Sequence, residues 1–572
     1  MQDDHSGRSS STNALFLCCI GQGYSLSTGE ASKTEEDARL TRTKTRSLRD
    51  TIHLSASEMA GALKAGDLSA EEVVDVHIDH IQKVNPALNA VVIPLFDEAR
   101  AQARMADEVR ARGEPLGALY GVPVTIKEQY KVRGTQTTLG ATNKIGNVYD
   151  DEGPLVTELR AEGAIILGKT NIVQTLLGHE SDNRVYGRSN NPWDLGRTPG
   201  GSSGGDAAIV AAGGAPLALA SDLGGSIRIP SLCCGVHGFK PTTGRLTNDD
   251  FPGELLGYGQ EAILPQPGPI ARTVADLALA MAVFARTSMN ATCDNVPPVP
   301  WTDPTTISIK GMRIGYYTDN GLLSASPALR RAVEEAAEAL RSMGAETVPV
   351  DPPDPFEAMR IFLGVMTAGG VAQMKSLLGA EKPIPQIAAA VKGMGTPRLV
   401  LAMVARLMAA RGQHHNARVI GNMGALKTAD YWHLVEARTD YRISFQRALD
   451  AAGLDAVICP PHAVPAVTHG ASEHLFPAVS YAFTYNVLGA PAGVVSTTRV
   501  RPGEESDRNV GKDIADRTAQ QVERGSAGLP VGVQVVARHW HDHVALAVMS
   551  ALEAHFRKKE EYPLQPDFPI NT

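Results

Sequence analysis

The chain has 572 residues, 43% of them hydrophobic and 20% charged, a balance that excludes wholesale disorder and supplies apolar side chains for a sizeable core. A formal net charge of -8 gives no broad positive field of the kind that a phosphate backbone demands, so nucleic acid is not an expected partner. The cysteines (Cys18, Cys19, Cys233, Cys234, Cys293, Cys459) are too few and too scattered for a disulfide scaffold and lack zinc-type spacing, so they read as reduced, buried thiols in a cytoplasm-like compartment.

Residues 1 to about 50 are rich in Ser, Thr, Arg and Asp and carry few aromatics, so a loose tail is expected there. The apolar run from Ala14 to Ile20 is far short of the ~20 residues that span a bilayer, and Met1 to Arg8 holds aspartates where a leader wants positive charge. No cleaved signal and no spanning helix are expected. From Ser55 the text becomes helical: SASEMAGALKAG opens on a capping pair, Ser55 and Glu58, and SAEEVVDVHIDHIQKVN is amphipathic with Asn85 and Pro86 as its stop. GVPVTIKE and AIILGKTN then read as short buried strands separated by the helical PLVTELRAEG, which suggests an α/β sheet of mixed direction. Later, PALRRAVEEAAEALRSMGA and RTDYRISFQRALDAAG read as long amphipathic helices, followed by the strands DAVICP and GVVSTT. The Pro-rich stretch at 296–304 reads as a loop, and residues 500–526, charged and without apolar period, read as an exposed insertion.

The chemistry concentrates between Thr198 and Thr242, where glycine-serine clusters at 200–205 and 224–226 flank the apolar IVAAGGAPLALA. Glycine at that density lets backbone approach a ligand closely, and the serines beside it are candidates for nucleophilic work. A flexible linker would not contain so apolar a segment. A phosphate loop would need Lys then Ser/Thr after its last glycine, whereas Asp206 follows Gly205. A nucleophile elbow G-x-S-x-G is matched by Gly201, Ser203 and Gly205, which would make Ser203 the nucleophile of an α/β-hydrolase.

The whole segment offers a third reading. GGSSGG followed by GGSIR, with a lysine upstream in GVPVTIKE, resembles the amidase signature family. NNPWDLGRTPGGSSGG, FKPTTGRL, YNVLGAPAGVV and SAGLPVGVQVVA are similar to its fatty acid amide hydrolase branch, so the resemblance runs over about residues 55–560. It implies a large mixed, twisted β-sheet flanked by many helices, formed by residues 51–572 with a helical cap at about 396–440. It also implies a Ser-Ser-Lys triad: Ser226 as nucleophile, Ser202 after a cis peptide bond as proton bridge, and Lys127 as base. The strand VPVTI before Lys127 would desolvate the amine and lower its pKa, as a base requires. The backbone N–H groups of Leu223, Gly224, Gly225 and Ser226 match the oxyanion hole. Ser203, Asp222 and Arg228 match bracing residues, and Leu176 matches a position along the substrate. The chain departs from the family pattern at Ser221, where threonine is frequent, at Ala220, where glycine is usual, and at Glu128, where many amidases have aspartate.

The resemblance implies hydrolysis of fatty acid amides or N-acylamines without a cofactor, or alternatively of small amides, or an amidotransferase-type subunit. His179, His237, His462, His469 and His539 lack ligand-like pairing, and no metal is expected. Residues 398–418 combine Leu399, Val400, Met403 and Leu407 with Arg398, Arg406, Arg411 and Arg418. That composition suits either a helix resting on anionic lipid or a buried helix with arginines at its edges. The expected partners are a lipid-like amide, a membrane surface met peripherally through 398–418, and a second copy in a homodimer; the expected compartment is the cytoplasm.

Overall fold

The computed structural model describes residues 48–252, 260–286 and 293–567. The expected tail over 1–50 lies outside them except for Leu48–Asp50, which open a 3-10 turn. Helix α1 (Ala56–Ala65) starts at the expected capping box, and α2 (Ala70–Leu88) has a second one, Ser69 with Glu72. Helix α2 does not stop at Asn85 and Pro86. Proline removes one donor near the helix end, and the chain instead turns at Asn89, whose φ is 48°. Asn85 organises that exit: its Oδ1 accepts from the N–H of Ala90 and of Val91, each at 2.8 Å, and so launches β1 (Val91–Pro94).

Helix α3 (Phe96–Ala111), β2 (Pro123–Lys127), α4 (Pro154–Ala161) and β3 (Ile165–Thr170) follow, with both strands wholly buried. The glycine-serine region then builds α5 (Gly204–Ala211), β4 (Leu217–Asp222), α6 (Arg228–Cys234), β5 (His237–Lys240) and β6 (Gln266–Ala271), and the apolar helix α7 (Val274–Phe284) covers it. Strand β7 (Arg313–Tyr316), α8 (Pro327–Ser342) and β8 (Glu346–Pro349) start the second half. A helical run comes next: α9 (Pro355–Thr367), α10 (Ala372–Leu378), α11 (Pro385–Met394), α12 (Arg398–Ala410), α13 (His414–Gly421) and α14 (Thr428–Ala451). The chain closes with β9 (Ala456–Cys459), α15 (Ser480–Leu488), β10 (Ala492–Arg499), α16 (Ile514–Glu523), β11 (Pro530–Ala537) and α17 (Asp542–Phe556).

The strands form one 11-stranded sheet in the order β1-β3-β2-β4-β6-β5-β10-β11-β9-β7-β8. It is mixed, as expected: β2 runs parallel to both β3 and β4, while β4 and β6 are antiparallel. Strands β2 and β4 therefore deliver their carboxyl ends, Lys127 and Asp222, to the same end of the sheet.

The 500–526 segment differs from its reading as an exposed insertion. Asp513 caps α16, which buries Ala515, Thr518, Ala519 and Val522. Its buried face is made mostly of alanine and threonine, too weakly apolar to stand out as a core stripe, so the helix is hard to see in the text. Helix α12 buries Leu401 alone, and its apolar face is open: Leu399 is 87% exposed, Met403 65% and Leu407 51%. Of the two readings of residues 398–418, the buried helix is therefore not the one found. Among the described residues no single helix is long and apolar enough to cross a membrane; the pair α9 and α10 passes by composition, with a 60° bend between them.

Candidate active site

Lys127 ends β2, the strand that pairs with β3 on one side and β4 on the other, and its side chain is fully buried. Its Nζ lies 2.8 Å from Ser202 Oγ, 3.1 Å from Ser221 Oγ and 3.3 Å from the Ser221 carbonyl. Burial lowers the Lys127 pKa to about 7, against the opposing pull of the Asp206 and Asp222 carboxylates. An amine held there can take a proton from Ser202 and return it near neutral pH.

Ser202 follows a cis peptide bond from Gly201. Gly201 is required by crowding, since a Cβ there would lie 2.7 Å from Val173 Cγ2 and 2.9 Å from the His179 carbonyl carbon. Ser203 N–H donates to the Ser226 carbonyl at 3.2 Å and its hydroxyl to the Ser221 carbonyl at 3.2 Å, which ties the two serine segments together. Ser203 is fully buried and has no histidine partner among the described residues, so the elbow reading finds no support.

Ser226 sits in the loop between β4 and α6, where Leu223, Gly224 and Ser226 are partly exposed although Asp222, Gly225, Ile227 and Arg228 around them are buried. The Asp222 carboxylate holds this loop from below. It accepts from Gly225 N–H at 2.7 Å and from Ile227 N–H at 3.1 Å, one on each side of Ser226. Gly225 has φ of +116°, and a Cβ there would also strike Ile229 and Ala482. Gly225 N–H donates to Asp222, whereas the N–H groups of Leu223, Gly224 and Ser226 have no protein acceptor among the described residues.

Arg228 is itself fully buried. Its Nε and Nη2 donate to Asp222 at 2.9 and 3.0 Å, Nη1 to the Ala482 carbonyl at 2.8 Å and Gln534 Oε1 at 2.6 Å, and Nη2 also to Asn486 Oδ1 at 2.6 Å. Burial alone would push the Asp222 pKa up, but the Arg228 guanidinium and the Asn486 amide hold it well below the usual carboxylate range. Asp222 is therefore favoured in its charged form under the Ser226 loop.

Leu176 lies in the turn Gln174–Leu176 with φ of 60°, beside Thr175 at 55°, and is partly exposed. A residue other than glycine is uncommon in that region and marks backbone held for a purpose. Glu128 accepts from Thr138 N–H, Thr138 Oγ1, Leu139 N–H and Tyr186 Oη, so it braces a neighbouring loop.

Sequence reasoning missed several neighbours. Asn486 and Gln534 lie within YNVLGAPAGVV and SAGLPVGVQVVA, but nothing local in that text points to Arg228. Gln129 accepts from Ser221 Oγ at 2.9 Å and so completes the setting of Lys127. Phe362 of α9 approaches Gly224 so closely that a Cβ there would lie 2.9 Å from its ring. Phe362 stacks on Phe483 with centroids 5.0 Å apart, and Phe483 on Phe476 at 5.7 Å, an aromatic wall beside the donors. Among the described residues the grouping compatible with a metal is His415, Asp513 and Asp516, none of them among the histidines singled out above.

Comparison with known proteins decides the lineage, because the amidase family profile matches residues 72–546. The chain belongs to the amidase family. This amidase is 32% identical over 517 residues to fatty-acid amide hydrolase 1 of Sus scrofa, covering 88% of this chain and 86% of that one. It is 30% identical over 512 residues to fatty acid amide hydrolase 1 of Caenorhabditis elegans, covering 87% of this chain and 88% of that one. A solved fatty acid amide hydrolase superposes with a TM-score of 0.77 at 25% identity, covering 93% of the amidase and 91% of its own chain. The amidase is thus an amidase signature serine hydrolase, similar to fatty acid amide hydrolases.

Proposed function

We propose that this amidase hydrolyses fatty acid amides or N-acylamines to a fatty acid and an amine, through an acyl-enzyme on Ser226. The observation that carries the reading is the buried contact of Lys127 Nζ with Ser202 Oγ at 2.8 Å. In the first half-reaction Ser226 Oγ attacks the amide carbonyl while its proton passes by way of Ser202 to Lys127. Collapse returns that proton to the nitrogen, the C–N bond breaks, and the amine leaves neutral. Water then attacks the ester by the same relay and releases the acid. The oxyanion of each tetrahedral intermediate would be met by the N–H groups of Leu223, Gly224 and Ser226.

Two observations favour an acyl chain over a small amide: the wall of Phe362, Phe483 and Phe476 beside Gly224, and the open apolar face of α12. With Arg398, Arg406 and Arg411 on α12 and its C-terminal cap and Arg418 on α13, that face suits peripheral contact with an anionic lipid surface from which such a substrate partitions. The test is fluorophosphonate labelling with peptide mass analysis, combined with rates on acetamide and on a long-chain amide. The expected result is label on Ser226, lost in Ser226→Ala, and much faster turnover of the long-chain amide. Label on Ser203 would overturn the nucleophile, and equal or faster acetamide hydrolysis would overturn the substrate class.

A further inference from the structure

We propose that Asp206 is a positioning residue that sets how tightly Lys127 holds its proton, acting by charge rather than by a direct hydrogen bond; this rests on the reading of Lys127 as the base. Asp206 lies in the first turn of α5, directly after the glycine-serine cluster, and is fully buried. Its Oδ1 accepts from Thr170 Oγ1 at 2.5 Å, and its Oδ2 is buried without a hydrogen-bond partner among the described residues. Thr170 is the register partner of Lys127 across β2 and β3, so the bond that fixes Asp206 anchors it beside the base.

Two carboxylates act on Lys127, those of Asp206 and Asp222. Asp222 is neutralised by two contacts to Arg228, whereas no cation among the described residues hydrogen-bonds Asp206. Asp206 is thus the anion near the base whose charge can change. Burial raises its pKa, opposed by the Thr170 hydroxyl and by Lys127, while burial lowers that of Lys127, so the two groups are drawn toward each other. Two such groups share their proton as a pair. An ionised Asp206 favours the ammonium, and a protonated Asp206 favours the amine that accepts the proton of the nucleophile.

Charged and titratable groups lie on the elements packed around Asp206. Lys127 of β2 and Tyr130 just beyond it feel its charge. Asp222 of β4 and Arg228 of α6 are paired with each other. On α2, His77 Nδ1 and His80 Nε2 turn to the carbonyls of Gly214 and Ala212, and on α6 burial holds the Cys233 and Cys234 thiols above their ordinary range.

The test is the pH profile of kcat/KM for the wild type, Asp206→Asn and Thr170→Val, each checked for folding by circular dichroism. Removing the negative charge lowers the Lys127 pKa, so Asp206→Asn should move the ascending limb to lower pH by about one unit or more, within the range an opposite charge commands. Thr170→Val removes the hydroxyl that favours the ionised carboxylate, so its limb should move the same way by less. A purely structural role would lower kcat without moving the limb, and a folded Asp206→Asn enzyme with an unmoved limb overturns the inference. If Asp206→Asn does not fold, the direction of the Thr170→Val limb decides alone, and an unmoved or raised limb there overturns it equally. The residual activity of Lys127→Met separates the two levels of argument. A limb that persists in that variant overturns the base assignment, whereas a limb lost there but fixed in Asp206→Asn overturns the role of Asp206 alone.

Discussion

Replacement of Arg228 by methionine gives the sharpest stability prediction. The side chain is fully buried, and its N–H groups meet both Asp222 oxygens, two side-chain amide oxygens and one backbone carbonyl. Arg228→Met leaves the Asp222 charge uncompensated inside the protein, a change that costs about 3–5 kcal/mol. Lysine at 228 keeps the charge but offers three donors, so some acceptors stay unmet, and the expected loss is smaller, about 2–3 kcal/mol. Urea unfolding followed by tryptophan fluorescence should therefore rank wild type, Arg228→Lys and Arg228→Met in descending order. The pH dependence fixes the cause. In the wild type Asp222 is held below its ordinary pKa, so its stabilisation is present above about pH 4 and is lost only as pH falls through the folded value. Without Arg228, burial raises the Asp222 pKa instead, and acidification from about pH 7 toward about pH 5 lets the group neutralise and narrows the gap to wild type. A loss below about 1 kcal/mol, or a gap that does not change with pH, would refute the account.

Other perturbations test the site itself. Lys127→Ala should slow amides more than esters, by about tenfold (~1.4 kcal/mol) or more, because an amine leaves only when protonated. In the wild type the rate should rise with pH through a midpoint near the Lys127 value of about 7, and equal slowing of esters and amides would remove Lys127 from the proton path. Gly225→Ala should reduce kcat by at least about tenfold at little cost in KM, since the added Cβ meets Ala482 at 2.8 Å and the backbone resists +116°; a near-normal kcat would show that the Ser226 loop tolerates displacement. Leu399→Glu with Leu407→Glu should weaken binding to anionic liposomes and long-chain turnover while short soluble amides are spared, and uniform loss on all substrates would argue for a structural helix.

What is legible in the amino-acid text depends on how local the cause is. The glycine-serine segment stands out because small residues at that density have few other uses, whereas Lys127, Ser202 and Ser226 are singled out within the text only by the family resemblance; β2 and β3 show because β-branched runs are compact signals. Pro86 misleads because a proline near a helix end costs little when Asn85 and Asn89 manage the exit. Helix α16 is hidden because it buries alanine and threonine rather than leucine. The bonds from Arg228 to Asn486 and Gln534 cannot be read, because they join residues far apart in sequence that only the sheet order brings together. Asp206 shows in the text only as the residue that breaks a phosphate loop, and its burial next to Lys127 depends on the register of β2 with β3.

During synthesis the near and distant parts of this site emerge at different times. Lys127, Ser202 and Ser226 all precede β5, as do Asp222 and Arg228, whereas the remaining acceptors of Arg228, on Ala482, Asn486 and Gln534, arrive with α15 and β11, late in translation. A nascent chain thus carries all three residues long before the anion beneath the nucleophile has its full counter-network. Fragments cut short before β11 would keep Lys127, Ser202, Ser226 and the Asp222–Arg228 pair beneath the loop, yet lack the Gln534 acceptor of the Arg228 guanidinium.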